Sequence, residues 1–196
     1  MTRPDRLIGL LLAGGKSTRM GGQDKGLLPW QGQPMAQRVY RTLKNLTPRV
    51  YISANRSLED YEQLAPGHIL RDPENLTDQG PLAGLLTGLR KASEQGAEAV
   101  LVCPCDTPDI NPATLSALIT AWQTCPDRPA IAESNGRIHP LHGVYPVGLM
   151  GCLECYLKSG ERRVVTFAER VGAIALNCPE TEAVFRNRNK PEDLKG

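Results

Sequence analysis

The chain has 196 residues and a net charge of +2, with 40% hydrophobic and 22% charged residues. This length can bury a hydrophobic core and lies in the usual range for one domain. The composition is ordinary for a globular protein, and so small a net charge does not favour nucleic acid as a partner. A polyanionic ligand would need a local site.

The N-terminus has a basic start and a short apolar run that superficially match a signal peptide. That run is only about seven residues long and leads into a charged glycine-rich loop, not a small-residue cleavage site. No other run approaches the ~20 apolar residues of a membrane span. We therefore expect a cytoplasmic protein that makes no contact with membranes.

In the first half of the chain, apolar runs of strand length alternate with segments of helical period, the pattern of parallel βαβ units. The strands predicted here are residues 7–13, 49–54, 68–71 and 98–103. The helices predicted here are residues 34–46, 58–64 and 82–92. The last of these carries small residues, which indicate close helix packing. The run at 98–103 is typical of a central strand covered on both faces.

In the second half the pattern changes after a helix predicted at residues 111–122. Asn135-Gly136 lies between extended segments, which is a strong hairpin signal. On this strand pattern we expect His139 and His142 to face opposite sides. The remaining predictions are a hairpin from 130–132 and 138–145, helices at 149–157 and 161–171, a strand at 173–177, an extended piece at 183–185 and a helical turn within 187–194. Together these elements predict a single mixed α/β domain.

Six cysteines are scattered through the chain. They are too sparse for a disulfide framework, so we expect buried, reduced thiols. Cys152 and Cys155 have a spacing seen in metal sites, but one such pair on a predicted helix is weak evidence for zinc.

The loop from Leu12 to Gly26 follows the first predicted strand directly. Glycines such as Gly14 and Gly15 let the backbone approach a phosphate chain, and the loop cations can neutralise its charge. These cations are Lys16, Arg19 and Lys25. The loop therefore predicts a phosphate-binding site.

Two familiar phosphate motifs do not fit this loop. A P-loop that ends at Gly15 needs a glycine where the chain has Leu10. The GxGxxG dinucleotide fingerprint fails because Gly15 and Lys16 directly follow Gly14. The loop is of a different kind.

Asp106 stands where prolines end a buried strand, at positions 104 and 108. Open parallel sheets bind ligands at the carboxyl ends of their strands. Magnesium prefers one or two carboxylates together with phosphate oxygens. Asp106 is therefore a candidate metal ligand, and a structural capping role is the alternative.

The segment from Leu12 to Leu28 resembles the signature of the nucleotidyltransferases with a Rossmann-like α/β fold. In its details it is most similar to the molybdenum cofactor guanylyltransferases, the MobA family. Further matching segments follow in order through nearly the whole chain: 54–56, 71–72, 80–84, 103–108, 139–140, 160–164 and 187–192.

The resemblance implies one three-layer domain over residues 1–196, with a mostly parallel central sheet and an antiparallel hairpin addition. Its N-terminal part would bind nucleotide, and its C-terminal third would bind a pterin acceptor. The implied reaction transfers GMP from GTP to the phosphate of molybdenum-molybdopterin and releases pyrophosphate, with Mg²⁺, or alternatively Mn²⁺, as the metal. The implied protein partners are molybdenum-insertion proteins and target molybdoenzymes, with which the protein would make transient contacts. The favoured oligomeric state is a monomer.

The resemblance also assigns roles to individual residues. The catalytic residues would be Lys25, Arg19 and Asp106, of which Asp106 would bind the metal. The nucleotide would contact Leu12, Ala13, Gly14, Gly15, Lys25, Ser53, Asp72, Gly80, Pro81, Leu82, Gly84 and Asp106. The pterin would contact Arg19, Arg163, Asn187 and Asn189. The family often has Asn at position 53 and Thr at position 190, where this chain has Ser53 and Lys190.

Other interpretations of these residues stay open. Arg163 fits a solvated helix face as well as a pterin contact, and Asn187 and Asn189 could cap a helix. For His139 a structural role is favoured over a catalytic one. A related nucleotidyltransferase could use CTP on the molybdenum cofactor, or a nucleotide on a sugar or polyol phosphate. A carrier that binds the cofactor without catalysis is the alternative from another class.

Overall fold

The structure is a computed structural model that describes residues 6–13, 23–77, 79–178 and 183–188. The strands in this part of the chain are β1 (Leu7–Leu12), β2 (Pro29–Trp30), β3 (Gln33–Pro34), β4 (Val50–Ser53), β5 (Ile69–Leu70), β6 (Ala99–Pro104), β7 (Ala130–Ser134), β8 (Arg137–Pro146) and β9 (Ile174–Asn177). The helices are α1 (Met35–Lys44), α2 (Leu58–Leu64), α3 (Pro81–Glu94), α4 (Pro112–Thr124), α5 (Met150–Lys158) and α6 (Val164–Arg170).

Seven strands form the main sheet in the order β5-β4-β1-β6-β8-β7-β9, and β2 and β3 form a separate small hairpin. Within the main sheet only β8 runs antiparallel to its neighbours. All six residues of β1 are buried, since helices cover both faces of the sheet. Leu12 pairs with Ser53 on one side and Pro104 on the other. The neighbouring strands β4, β1 and β6 therefore end together at one edge.

Each face of the sheet has its own hydrophobic core. On one face, Tyr61 of α2, Leu43 of α1 and Leu118 of α4 pack together. On the other face, the core includes Leu85 of α3 and Leu153 of α5, together with side chains of α6. Successive side chains of β1 alternate between the two cores, as expected for a strand. This arrangement confirms the three-layer α/β fold, the mostly parallel sheet and the antiparallel addition.

Helix α3 lies unusually close to the strands because of two glycines. A Cβ atom at Gly84 would stand 2.6 Å from Ser53 Oγ and 2.9 Å from Leu12 Cδ2. At Gly88 the same added atom would overlap the side chain of Leu10. The predicted packing role of small residues is confirmed, and it brings the N-terminus of α3 to the edge where β1 and β4 end.

Most predicted elements occur within a few residues of their expected bounds. The hairpin β2–β3 was not predicted, because two strands of two residues each leave almost no periodic pattern. Helix α6 begins at Val164, since Arg163 still has an extended backbone. The extended piece expected at 183–185 is wrong: these residues form a 3-10 turn in which Arg186 N donates to Ala183 O at 3.3 Å. Most of the expected turn at 187–194 lies outside the described residues, and 187–188 have no helical structure.

The expectation that His139 and His142 face opposite sides is also wrong. Their rings lie 4.3 Å and 5.0 Å from the ring of Phe185, so both histidines contact the same side chain. The cause is an irregularity in the hairpin: Ile131 pairs with Gly143, but the next residue of β7 pairs with His139. The extra residues of β8 between these two pairs break the alternation on which the prediction depended.

All six cysteines lie in the described residues and none forms a disulfide, as expected; three of them are buried. Cys152 and Cys155, on the outer side of α5, are exposed and Cys125 is half-buried. The expectation of buried thiols is therefore wrong for these three. The residues described by the structure contain no group of three or more side chains suited to binding a metal. None of the helices in these same residues combines the length and apolar character that a membrane crossing requires.

Replacing Gly143 by alanine should lower the free energy of unfolding by about 1–3 kcal/mol, the usual cost of overpacking a core. The added Cβ would lie 2.7 Å from the backbone carbonyl oxygen of Ala130, which cannot turn away without disturbing the pairing with β7. Urea denaturation would measure the change.

Gly148→Ala is the matched control for this experiment, because a Cβ atom at Gly148 meets nothing within 4 Å. It should change the free energy of unfolding by less than about 0.5 kcal/mol. Equal effects of the two substitutions would contradict the packing argument.

Candidate active site

A pocket of about 870 Å³ opens at the edge where β4, β1 and β6 end. Its position agrees with the general rule for ligand sites in open α/β sheets. Its walls combine residues that are far apart in the sequence. The residues predicted from the sequence that line it are Leu12, Ala13, Lys25, Ser53, Asp72, Gly80, Pro81, Gly84, Asp106 and Asn187.

Lys25 is the first residue of a short 3-10 turn, and the buried side chain of Asp24 holds this turn in place. The Oδ1 atom of Asp24 accepts hydrogen bonds from Gly26 N at 3.0 Å and from the Tyr61 hydroxyl at 2.7 Å. Asp24 and Tyr61 are both buried. Burial, with the Cys105 thiol and the Asp24 carboxylate nearby, raises the pKa of Tyr61 well above its ordinary value, so its hydroxyl stays a donor. The backbone at Lys25 is thus held in one conformation.

Asp106 lies just after β6 and is partly buried. Burial raises the pKa of its carboxyl group, while the positive charge of Lys25 opposes this shift. Burial disfavours the charged form of a carboxylate, and a nearby cation stabilises it. The fold therefore brings a cation and a carboxylate from two separate elements into one pocket, where the charge of Lys25 offsets part of the cost of burying the Asp106 carboxylate.

Asp106 lies in the loop between β6 and α4, which we call the Asp106 loop. His142 joins this loop to β8. The Nε2 atom of His142 and the Thr107 hydroxyl share a hydrogen bond of 2.8 Å, and both residues are buried. Burial, followed by the proximity of His139, lowers the pKa of His142 from 6.5 to about 3, so the ring is neutral at physiological pH. Sequence reasoning missed this contact, because nothing local connects His142 with a loop on another strand.

The nucleotide side of the predicted site contains a small hydrogen-bond network. Both oxygens of the Asp72 carboxylate accept a hydrogen bond, Oδ2 from Asn55 Nδ2 and Oδ1 from the Thr87 hydroxyl, each at 2.9 Å. Asn55 also lines the pocket. Its role was not predicted, although it lies in a segment, 54–56, that carries the family resemblance. The network fixes the direction of Asp72.

The N-terminus of α3 forms another part of this side. Gly80 has a φ of 80°, a conformation that favours glycine, and Pro81 follows as the first helical residue. A helix N-terminus of this kind favours anions through its free N–H groups and its dipole. The Leu82 side chain is fully buried in the core, so any nucleotide contact there would come from its backbone.

The opposite wall of the pocket comes from β8, the start of α6 and the C-terminal segment. It includes residues that the sequence did not single out, among them Arg137, Leu141 and Val165. Val165 is an exposed apolar side chain. Arg163 is exposed and is absent from the described pocket lining; its carbonyl accepts a hydrogen bond from the Tyr156 hydroxyl. Its predicted pterin contact stays a prediction.

Several predicted residues lie outside the part of the chain that the structure describes. These are Gly14, Gly15, Lys16, Arg19 and Asn189. Their roles therefore remain those that the sequence predicts.

Of the two carboxylates that line the pocket, Asp72 and Asp106, the second is better suited to a metal. Both oxygens of Asp72 are already engaged, and no larger group of metal-binding side chains occurs in the described ranges. A single carboxylate does not make a zinc site, which needs three or four protein ligands. It does suit magnesium, which takes one or two carboxylates and completes its shell with phosphate oxygens and water.

Comparison with known proteins places this geometry in a wider context. The family model of the MobA-like NTP transferase domain matches residues 9–172. A molybdenum cofactor guanylyltransferase of Cereibacter sphaeroides is 41% identical, over 96% of this chain and 94% of that protein. A molybdenum cofactor guanylyltransferase of Pseudomonas fluorescens is 37% identical, over 94% of this chain and 90% of that protein.

Solved structures share the fold at lower sequence identity. Molybdopterin-guanine dinucleotide biosynthesis protein A of Archaeoglobus fulgidus has a TM-score of 0.79 at 19% identity, over 96% of this chain and 95% of that one. The 4-diphosphocytidyl-2C-methyl-D-erythritol synthase of Anaerococcus prevotii has a TM-score of 0.73 at 12% identity, over 97% and 93%. At these identities the likeness concerns the fold alone.

His142 should make the stability of the protein depend on pH in the acid range. The unfolded chain binds a proton at His142 below about pH 6.5, whereas the folded protein does not until the pH approaches about 3. This difference at His142 therefore costs no stability above pH 6.5. Below pH 6.5 it lowers the free energy of unfolding by about 1.4 kcal/mol for each pH unit. Denaturation curves between pH 7 and pH 4 would measure this slope.

In His142→Gln the slope should be smaller, because the substitution removes the titrating ring while keeping a polar side chain beside Thr107. The quantity to compare is the difference in free energy of unfolding between the wild type and the variant at each pH. A difference that stays constant from pH 7 to pH 4 would contradict the buried neutral histidine.

Proposed function

Because the chain belongs to the family of MobA-like NTP transferase domains, we propose that it transfers GMP from GTP to the phosphate of molybdenum-molybdopterin. The products are the molybdopterin guanine dinucleotide cofactor and pyrophosphate. The observation that carries the proposal is the meeting of Lys25 and Asp106 in one pocket at the carboxyl edge of the sheet. Relatives at 37–41% identity over most of the chain, named molybdenum cofactor guanylyltransferases, support the choice of substrates.

The reaction needs no nucleophilic side chain. The acceptor phosphate monoester is largely ionised at pH 7, and one of its oxygens attacks the α-phosphorus of GTP. A bond forms between that oxygen and the α-phosphorus, and the bond from the α-phosphorus to the bridging oxygen of the β-phosphate breaks. Pyrophosphate leaves with the electron pair. Catalysis then consists of in-line placement and neutralisation of charge.

Lys25 supplies positive charge where the triphosphate would lie. The hydrogen bonds of Asp24 to Gly26 and Tyr61 hold the turn that presents it, so little reorganisation is needed when the nucleotide binds. The N-terminus of α3, with Gly80 and Pro81, adds a second region of positive potential on the nucleotide side. Gly84 of α3 lies against Leu12 and Ser53, which also line the pocket.

Asp106 would hold the magnesium ion. When bound, the ion would neutralise phosphate charge and act as a Lewis acid on the transferred group. The donor set fits, since one partly buried carboxylate in the pocket leaves the other coordination positions to phosphate oxygens and water.

The acceptor would lie against the wall from β8, α6 and the C-terminal segment. Asn187 lines the pocket on this side, as the proposed pterin contact requires. The transient contacts with molybdenum-insertion proteins and molybdoenzymes, the monomeric state and the cytoplasmic location remain predictions of the sequence.

Lys25→Ala and Asp106→Ala should each lower turnover by a factor of about 10² or more, since each removes charge stabilisation from the reacting phosphates. Pyrophosphate release from GTP in the presence of molybdenum-loaded molybdopterin would be measured. Lys44→Ala is a matched control, because Lys44 lies at the end of α1 and donates to Pro48 O. Wild-type turnover in Lys25→Ala or in Asp106→Ala would contradict the role assigned to the residue that was replaced.

The nucleotide specificity can be tested with the same assay. We expect release of pyrophosphate from GTP and much slower release from CTP, each with molybdopterin as the acceptor. Rapid turnover with CTP would identify a cytidylyltransferase in place of a guanylyltransferase. Nucleotide binding without any release of pyrophosphate would favour a carrier role.

A further inference from the structure

Arg188 is held between an aromatic ring and a carboxylate. Its guanidinium carbon lies 4.0 Å from the centre of the Trp30 ring, and its Nη2 atom lies 2.6 Å from Asp109 Oδ2. The other oxygen of Asp109 accepts a hydrogen bond from Trp30 Nε1 at 2.9 Å. The three side chains therefore form a closed set of contacts, which we refer to as the Arg188 clasp.

The Arg188 clasp is largely shielded from solvent. The side chain of Arg188 is 13% exposed and that of Asp109 is 23% exposed, and Trp30 is buried. Exposed ion pairs contribute little because water screens them, whereas a shielded pair with a stacked ring is a stronger constraint. The clasp can thus fix the position of the backbone on which it is built.

The clasp joins the C-terminal segment to the loop that carries Asp106. Arg188 N donates a hydrogen bond of 2.9 Å to the carbonyl oxygen of Asp106 itself. Asp109 is three residues further along the same loop. Asn187, next to Arg188, lines the pocket. The segment is therefore fastened to this loop at a point beside the reacting groups.

A second set of contacts joins the C-terminal segment to the Asp106 loop indirectly, through β8. Phe185 stacks on the ring of His139 and contacts the ring of His142. His142 in turn shares its hydrogen bond with Thr107 of the Asp106 loop. Asn187 thus lies on a short segment that is held on both sides.

We propose that Arg188 is a positioning residue for the acceptor: through Trp30 and Asp109 it holds Asn187 in register with Asp106, so that a pterin phosphate is aligned with the α-phosphate of GTP. This inference rests on the proposed function. The acceptor contacts one fastened segment and the nucleotide contacts the loop to which it is fastened. A small displacement between them lowers the rate steeply, since in-line transfer depends on the distance and angle of the reacting atoms.

Loss of the clasp should affect the acceptor more than the nucleotide. Most of the nucleotide side is built by the ends of β1 and β4 and by α3, none of which contributes a side chain to the clasp. The Asp106 loop, which the clasp does contact, is also held by the hydrogen bond between Thr107 and His142. In Arg188→Gln we expect kcat/KM for molybdenum-loaded molybdopterin to fall about tenfold or more. The Kd for GTP, measured without acceptor, should stay within about twofold of the wild type.

Arg90→Gln is the matched control. Arg90 forms an ion pair with Glu154 at 2.7 Å that joins α3 to α5, and neither residue is among those that line the pocket in the described structure. It should leave both constants unchanged. Arg188→Lys keeps the charge beside Asp109 and should recover part of the lost kcat/KM. Thermal unfolding of each variant checks that the fold is intact.

A double-mutant cycle with Asp109→Asn tests whether the two residues act as one unit. If the clasp is the cause, adding Asp109→Asn to Arg188→Gln should cost little more in kcat/KM than either change alone. Fully additive losses would contradict the coupling through Asp109.

The clasp can also be observed without the reaction. The chain has two tryptophans, so ¹⁹F NMR of protein labelled with 5-fluorotryptophan gives two signals, and Trp30→Phe identifies one. Arg188→Gln should shift the Trp30 signal and leave the other in place, and Arg90→Gln should shift neither. An unmoved Trp30 signal would overturn the clasp.

Direct binding of molybdopterin, followed by pterin fluorescence without GTP, separates this inference from the proposed function. If the wild type binds molybdopterin but releases no pyrophosphate with GTP, the proposed transfer fails, while a raised Kd in Arg188→Gln still supports a role in acceptor binding. If the wild type is active and Arg188→Gln has unchanged acceptor Kd and kcat/KM, the Arg188 inference fails alone. An equal loss in GTP affinity would also overturn it, because the role would then be general stability.

Discussion

The parallel register of β4, β1 and β6 is the constraint on which the rest of the structure depends. Leu12 pairs with Ser53 and with Pro104, so three segments that are far apart in sequence end at the same edge. Parallel strands must be joined by crossovers, and the covering helices make the sheet a buried layer. Because the sheet itself is buried, the polar and charged groups of a ligand site can come only from the loops that follow these strand ends. The pocket lies at this edge for that reason.

Close packing extends this constraint to the helices. Gly84 and Gly88 let α3 approach β1 to a distance that any side chain at these positions would prevent. As a result, the N-terminus of α3 reaches the same edge as the strand ends. The positive potential of this helix terminus and the charge of Lys25, which lies in the segment after β1, thereby reach the same pocket.

The charged groups of the pocket are held in place by shielded contacts outside the pocket lining or at its margin. Lys25 is presented by a turn that Asp24 and Tyr61 fix from the buried side, and the Asp106 loop is fixed by His142 and Arg188. Burial raises the pKa of Asp106 and the charge of Lys25 opposes this rise, so Lys25 offsets part of the cost of burying this carboxylate. Rigid support of this kind suits a reaction whose catalysis consists of placement and charge neutralisation.

The sequence by itself determined the α/β class, the central strands and the hairpin at Asn135-Gly136, and it singled out Lys25 and Asp106, which the structure brings into one pocket. It could do so because strand and helix periodicity, turn chemistry and the position of a residue at the end of a strand are local properties. Only the tertiary structure decided that His142 supports the Asp106 loop, that Asn55 orients Asp72, and that Arg188 joins the C-terminal segment to Trp30 and Asp109. These contacts link residues far apart in the chain, and an irregularity in β8 reverses the direction that simple alternation assigns to one of its histidines. No local pattern records which distant side chain fills a given position, because that depends on how whole elements pack.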